Sequence, residues 1–109
     1  MGTIYKVLGQ QNPAATTATT LYTVPASTSA IASTLNVCNL GNTASTFRVA
    51  VRPAGATLAN VHYLTYDTNL PANDSIGMTL GITLATTDVV TVYANTANVT
   101  FSLFGTEIS

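Results

Sequence analysis

Apolar residues recur at every second position along most of this chain, in short runs separated by turn residues. A period of two indicates β-strands, because successive side chains of a strand point to opposite faces of its sheet. The longest run, residues 76–84, alternates Ile, Met, Leu, Ile and Leu with Gly and Thr. The same pattern predicts further strands near residues 3–9, 20–25, 31–40, 46–52, 61–66, 90–92 and 99–103.

About eight short strands predict an all-β fold, either a sandwich or a barrel, and of the two we expect two antiparallel sheets that pack as a β-sandwich. Periodicity does not specify strand order, so a jelly roll and an immunoglobulin-like sandwich both fit. The 109 residues are the length of one domain, which we assign to residues 1–109. Within it, residues 1–20 can form an extended arm, and the Ala/Thr-rich stretch 14–20 fits either such an arm or a Thr-rich edge strand.

The same alternation predicts which side chains form the core. In residues 31–40 it places Ile31, Leu35 and Val37 on one face of a strand. The predicted core comprises Leu35, Val37, Phe47, Val49, Val51, Leu80, Ile82, Leu84, Val90, Val92, Phe101 and Leu103.

Charged residues make up 6% of the chain, against about 25% in an average domain. The formal net charge is −1, so charge repulsion between copies is weak and self-association is favoured. The basic residues are Lys6, Arg48 and Arg52, too few to neutralise many phosphates, which excludes nucleic-acid binding as the main function. No segment approaches the roughly 20 apolar residues of a membrane-spanning helix, and we expect no membrane partner.

Few residues could carry chemistry. Cys38, His62 and Asp67 supply the elements of a nucleophilic site, but the chain has no catalytic motif or phosphate-binding loop, and we predict no enzyme and no cofactor. The oxygen-rich segment 67–74 offers ligands suited to Ca²⁺. Its spacing differs from that of a helix–loop–helix calcium site, and Asn and Asp in turns bond their own backbone, so we predict no metal site.

The candidate interface residues are Arg48, Arg52, His62, Tyr63 and Tyr66. Arg48 and Arg52 lie four apart on one strand and therefore share a face. Arg and Tyr are enriched in protein interfaces, and both tyrosines lie close to His62 in the sequence. The alternative for the two arginines is a solvated sheet face held by Glu107 or an Asp.

Several segments resemble small structural proteins of tailed bacteriophages, especially those that infect cyanobacteria. The resemblance extends over nearly the whole chain and rests on general pattern, without a catalytic signature. It is carried by residues 5–10 (YKVLGQ), 21–25 (LYTVP), 47–55 (FRVAVRPAG), 88–94 (DVVTVYA) and 101–108 (FSLFGTEI).

The resemblance implies a non-enzymatic β-sandwich subunit of the virion, of the capsid decoration or cement type, which binds the major capsid protein or another virion protein. Decoration proteins of this size are often trimers, so a homotrimer is favoured. A tail, baseplate or fibre accessory protein is the alternative. A carbohydrate-binding module is less favoured, because the chain has no Trp.

The expected location is the virion, after assembly in the host cytoplasm. Residues 1–10 lack the charged start and apolar run of a signal peptide. Cys38 is the single cysteine, so no disulfide can form within one chain, which suits a reducing compartment.

Overall fold

A computed structural model describes residues 2–109 of the chain. Within them the chain forms eight strands and two short 3-10 turns, at Pro53–Gly55 and Asn60–His62. The strands are β1 (Thr3–Gln11), β2 (Thr19–Thr23), β3 (Ser29–Asn39), β4 (Ser45–Arg52), β5 (Tyr63–Leu70), β6 (Ser75–Leu84), β7 (Val89–Ala94) and β8 (Val99–Ile108). In this part of the chain no helix is long and apolar enough to span a membrane.

The eight strands form two antiparallel sheets of four, which confirms the predicted β-sandwich. Sheet A has the order β1-β8-β3-β6, and sheet B has the order β2-β7-β4-β5. The first strand therefore pairs with the last, the second with the seventh, the third with the sixth and the fourth with the fifth. This nested pairing is the jelly roll, and it decides between the two topologies that the sequence left open.

The core lies between the two sheets, where Phe47 and Phe101 meet edge to face with ring centroids 6.1 Å apart. Most of the predicted core residues are buried there. Val51, Leu80 and Ile82 are half-buried and pack against the core from its margin. The core also contains residues that alternation did not single out, among them Leu8, Leu21, Tyr22, Val24, Ala30, Ala32, Leu70, Ala94 and Val99.

The prediction that Ile31 shares a face with Leu35 and Val37 is wrong. Ile31 is exposed, whereas Ala30 and Ala32 on either side of it are buried. The cause is a β-bulge at Ser33, between Ala32 and Thr34, where the pairing of β3 with β8 shifts register. An extra residue reverses the alternation, because side chains change face at every position of a strand.

The N-terminal residues join sheet A. Residues 3–11 pair with β8 along its length, and residues 12–18 connect β1 to the short edge strand β2. Gly9 lies where β1 passes over β2, and a Cβ at this position would lie 2.1 Å from the carbonyl oxygen of Leu21. Only glycine permits this close approach of the two backbones.

At one end of the sandwich, buried Asn39 holds two loops together. Its Nδ2 donates to the carbonyl of Thr43 at 2.8 Å and lies 3.3 Å from the carbonyls of Leu70 and Pro71. Its Oδ1 accepts from the amide of Gly41 at 2.9 Å. One buried side chain thus satisfies backbone groups of both the β3–β4 and the β5–β6 connections, groups that would be costly to bury unpaired.

Replacing Asn39 with Ala should lower the free energy of unfolding by about 2–4 kcal/mol, because several buried backbone groups lose their partner. Chemical denaturation followed by circular dichroism measures this change. Asn36→Ala on the same strand is the control, because Asn36 is exposed and its loss should cost within about 0.5 kcal/mol. Equal effects of the two substitutions would contradict this role of Asn39.

A polar contact joins the two sheets at the side where β1 and β2 pack together. The hydroxyl of Tyr22 donates to Glu107 Oε2 at 2.6 Å, and Lys6 Nζ lies 3.4 Å from Glu107 Oε1. Tyr22 is buried, and its burial, together with the hydrogen bond and charge of Glu107, raises the pKa of the Tyr22 phenol above its ordinary value.

The raised pKa of Tyr22 predicts a loss of stability in alkali. A folded-state pKa above the unfolded value of about 10 means that this contribution is complete below about pH 10 and is lost as pH rises further. Denaturation midpoints measured across this range should fall for the natural chain. In Tyr22→Phe the fall should be smaller, and stability at neutral pH should be lower by about 1.5–3 kcal/mol. Identical alkaline profiles would contradict the assignment.

Candidate contact surfaces

A β-bulge in β5 builds the most elaborate group of side chains on the outer face of sheet B. Phe47 pairs with Thr68 and Val49 with Thr65, so two β5 residues, Tyr66 and Asp67, lie opposite the single residue Arg48. Asp67 has a left-handed backbone, with φ of 49°, which Asp tolerates better than most residues. Both side chains are exposed on the same face as a result.

Arg48 contacts side chains of both neighbouring strands, β5 and β7. Its Nε donates to Asp67 Oδ1 at 2.6 Å and its Nη2 to Oδ2 at 3.3 Å. Its guanidinium carbon lies 4.0 Å from the ring centroid of Tyr66 and 4.2 Å from that of Tyr93, its direct partner on β7. The hydrogen bond that Arg48 donates to Asp67 raises the pKa of Arg48 above its ordinary value. The cation is thus fixed in place and neutralised within the chain.

Tyr63 extends this group. Its ring meets that of Tyr66 edge to face, with centroids 4.9 Å apart. Together with Asn60, the two rings line a shallow groove of about 400 Å³. We call the set Arg48, Tyr63, Tyr66, Asp67 and Tyr93 the arginine–tyrosine patch.

Arg52 is bound by its own chain. Its Nε donates to Thr91 Oγ1 at 3.1 Å, and its Nη1 donates to the carbonyl of Ala56 at 3.1 Å. These bonds hold the β4–β5 loop against the outer face of sheet B, where Ala50 and Thr91 are buried. Arg52 therefore positions the loop beside the patch and has fewer donors left for a partner.

His62 and Cys38 lie on different sheets. His62 ends the turn that precedes β5, and its Nδ1 accepts the amide of Ala59 at 3.0 Å. Cys38 is a half-buried residue of β3 in sheet A. Asp67 is bonded to Arg48, so the three residues considered for a nucleophilic site are not brought together.

The oxygen-rich segment 67–74 is divided between two places. Asp67 lies on the outer face of sheet B, whereas Asp74 lies at the end of the sandwich, where its Oδ1 accepts from the amide of Ser75. In residues 2–109, no three His, Cys, Asp or Glu side chains form a group that could hold a metal ion.

A second candidate surface lies on the outer face of sheet A. Val7 pairs with Phe104, and Tyr5 and Ile31 both pair with Thr106, so these apolar side chains share one face. Tyr5 is 84% exposed, and Ile31, Val7 and Phe104 are also exposed. We call Tyr5, Val7, Ile31 and Phe104 the apolar patch.

Sheet A is almost free of charge. Its four strands contain two charged residues, Lys6 and Glu107, which pair with each other. The apolar patch is therefore surrounded by Ser, Thr and Asn side chains. Such a surface can be covered by a partner without burying an unpaired charge.

The sequence analysis identified Arg48, Tyr63 and Tyr66 but missed other members of both patches. Tyr93 could have been found, because it alternates with the buried Val90 and Val92 on the outward side of β7. Asp67 faces Arg48 only because of the bulge, and no local pattern in the sequence reveals that bulge. Tyr5 and Ile31 become neighbours through β8, which depends on strand order.

Comparison with known proteins identifies no relative: no protein-family model matches the chain, and no curated protein matches it.

The geometry of Arg48 predicts a slowly exchanging Nε proton. In Asp67→Asn the carboxylate is lost while the residue still tolerates the left-handed backbone, so the Arg48 Nε proton should exchange faster with water. Nuclear magnetic resonance of the arginine side chains measures this exchange rate in the natural chain and in Asp67→Asn. Arg52 is the internal control, because Asp67 does not contact it. An unchanged Arg48 signal would contradict the ion pair.

Proposed function

We propose that this chain is a non-enzymatic virion subunit that decorates a phage capsid and stabilises the assembled shell by bridging neighbouring capsid subunits. The sequence resemblance points to phage structural proteins, and the jelly roll is an architecture used by viral capsid domains. Because one architecture serves many functions, the proposal rests mainly on the surface of this chain.

One observation carries the proposal: two groups of aromatic and apolar side chains that reach the surface lie on opposite outer faces of the sandwich. The arginine–tyrosine patch lies outside sheet B, and the apolar patch lies outside sheet A. A subunit that bridges two neighbours needs two separate contact surfaces. Opposite faces of a rigid sandwich supply them.

The arginine–tyrosine patch has the chemistry of an interface anchor. Tyr and Arg are the residue types that most often dominate binding energy. Stacking and the Asp67 ion pair hold Arg48 in one geometry, so little side-chain freedom remains to be lost on binding. The pair is formally neutral, which suits contact with a shell surface of either sign.

The mechanism is mass action. A protein that binds the assembled shell and not its separated subunits stabilises the shell by an amount that rises with the ratio of its free concentration to its Kd. No covalent bond is made or broken, and two contacts made by one subunit give a higher overall avidity than either contact alone.

The proposal is tested with phage heads assembled without this chain, to which the purified protein is added back. Added protein should raise the temperature at which heads release their DNA. Tyr66→Ala should weaken binding to heads by at least about tenfold, because an interface anchor is removed. Leu40→Ser is the control, because Leu40 is an exposed apolar residue outside both patches.

Equal release temperatures with and without the protein would refute the decoration role. Binding to tails in place of heads would support the tail or baseplate alternative. Equal binding by Tyr66→Ala and Leu40→Ser would mean that the arginine–tyrosine patch is not the contact.

A further inference from the structure

Strand β6 is an edge strand of sheet A without charge or proline. Eight of its ten residues pair with β3 on one side, and it has no neighbouring strand on the other. At the opposite side of the sandwich, β1 and β2 pack together, but in residues 2–109 the edge strands β5 and β6 make no comparable contact. The inward row of β6, Ile76, Met78, Leu80 and Ile82, is therefore only half-buried.

The other three edge strands carry features that oppose pairing with another chain. Strand β1 has Lys6 and a bulge beside Leu8, β2 has five residues, and β5 has the bulge at Asp67. Proteins commonly protect sheet edges with charge, bulges or short strands. Strand β6 has one bulge, where Leu80 and Gly81 lie opposite Ser33, and the regular run of residues 75–79 before it is unprotected.

The sequence of β6 is nearly a palindrome about Thr79. An antiparallel pair of β6 strands centred on Thr79 would place Ile76 opposite Ile82, and Met78 opposite Leu80, of the second copy. On the outward face it would place Ser75 opposite Thr83, Gly77 opposite Gly81, and Thr79 opposite itself. Apolar residues thus meet apolar residues, hydroxyl residues meet hydroxyl residues and glycine meets glycine, so the strand is complementary to a second copy of itself, as a two-fold interface requires.

Gly77 is a second, independent indication that another strand pairs with β6. Glycine inside a strand is unfavourable by roughly 0.5–1 kcal/mol and often marks close approach of another backbone. Nothing in this chain requires it: a Cβ at Gly77 would meet no atom within 4 Å, and its φ is not positive. In the two-fold pair it lies opposite Gly81, whose left-handed φ of 58° forms the bulge.

We infer that β6 pairs with β6 of a second copy of this chain across a two-fold axis at Thr79, joining two A sheets into one continuous eight-stranded sheet. The absence of charge on β6 lets two copies approach without repulsion. The inward-facing apolar side chains of the two β6 strands then pack against each other, at the side of the sandwich where β5 and β6 make little contact. The assembly is two-fold, in contrast to the trimer expected from the resemblance, and it does not depend on the proposed function.

The test measures the solution mass of the purified full-length protein by light scattering after size-exclusion chromatography. The natural chain should have twice the chain mass of 11.3 kDa. Thr79→Lys and Thr79→Glu should each be monomeric, because two like charges meet on the axis and weaken the pair by at least about 100-fold. An equimolar mixture of the two variants should form a heterodimer.

Asn36→Lys is the matched control. Asn36 is exposed on the same face one strand inward and lies opposite Gly77, so this variant should remain a dimer. Circular dichroism verifies that each variant is folded. A monomeric or trimeric natural chain, a dimeric Thr79→Lys, or a mixture that stays monomeric would each overturn the inference.

Discussion

The contact between Phe47 and Phe101 determines which way the neighbouring side chains of this sandwich point. Both rings are fully buried, one on β4 and the other on β8, so they hold the two sheets face to face at the centre of the core. Because alternation is strict within a strand, burying Phe47 turns Arg48 outward. Burial of the core side chains thus decides which side chains lie on the outer faces of the sheets.

The bulges modify this rule at the places where the surface is most specialised. In β5 one extra residue brings Tyr66 and Asp67 together opposite Arg48, so that a ring and a carboxylate reach the same guanidinium. In β3 a bulge turns Ile31 outward, toward the apolar patch. Bulges often re-aim side chains at functional sites, and here they bring together side chains of both patches on an otherwise regular sandwich.

The strands were predictable because burial imposes a period of two that local sequence records. Phe47, Val49 and Phe101 were predicted as core for that reason, and the structure confirms them. The sequence analysis allowed for an Asp that holds the arginines without identifying it as Asp67. This gap and the error at Ile31 have one cause, since a bulge shifts alternation without a distinctive residue. Strand order was not predictable, because pairing between distant strands depends on the packing of the whole chain.

The central claim is that these outward surfaces bind other proteins of a virion. Electron cryomicroscopy of phage particles that carry this chain tests it most directly, because it reveals both the position and the face in contact. We predict jelly-roll density on the outside of the head, with the arginine–tyrosine patch or the apolar patch against capsid protein. Density confined to the tail, or heads contacted through neither patch, would contradict the account.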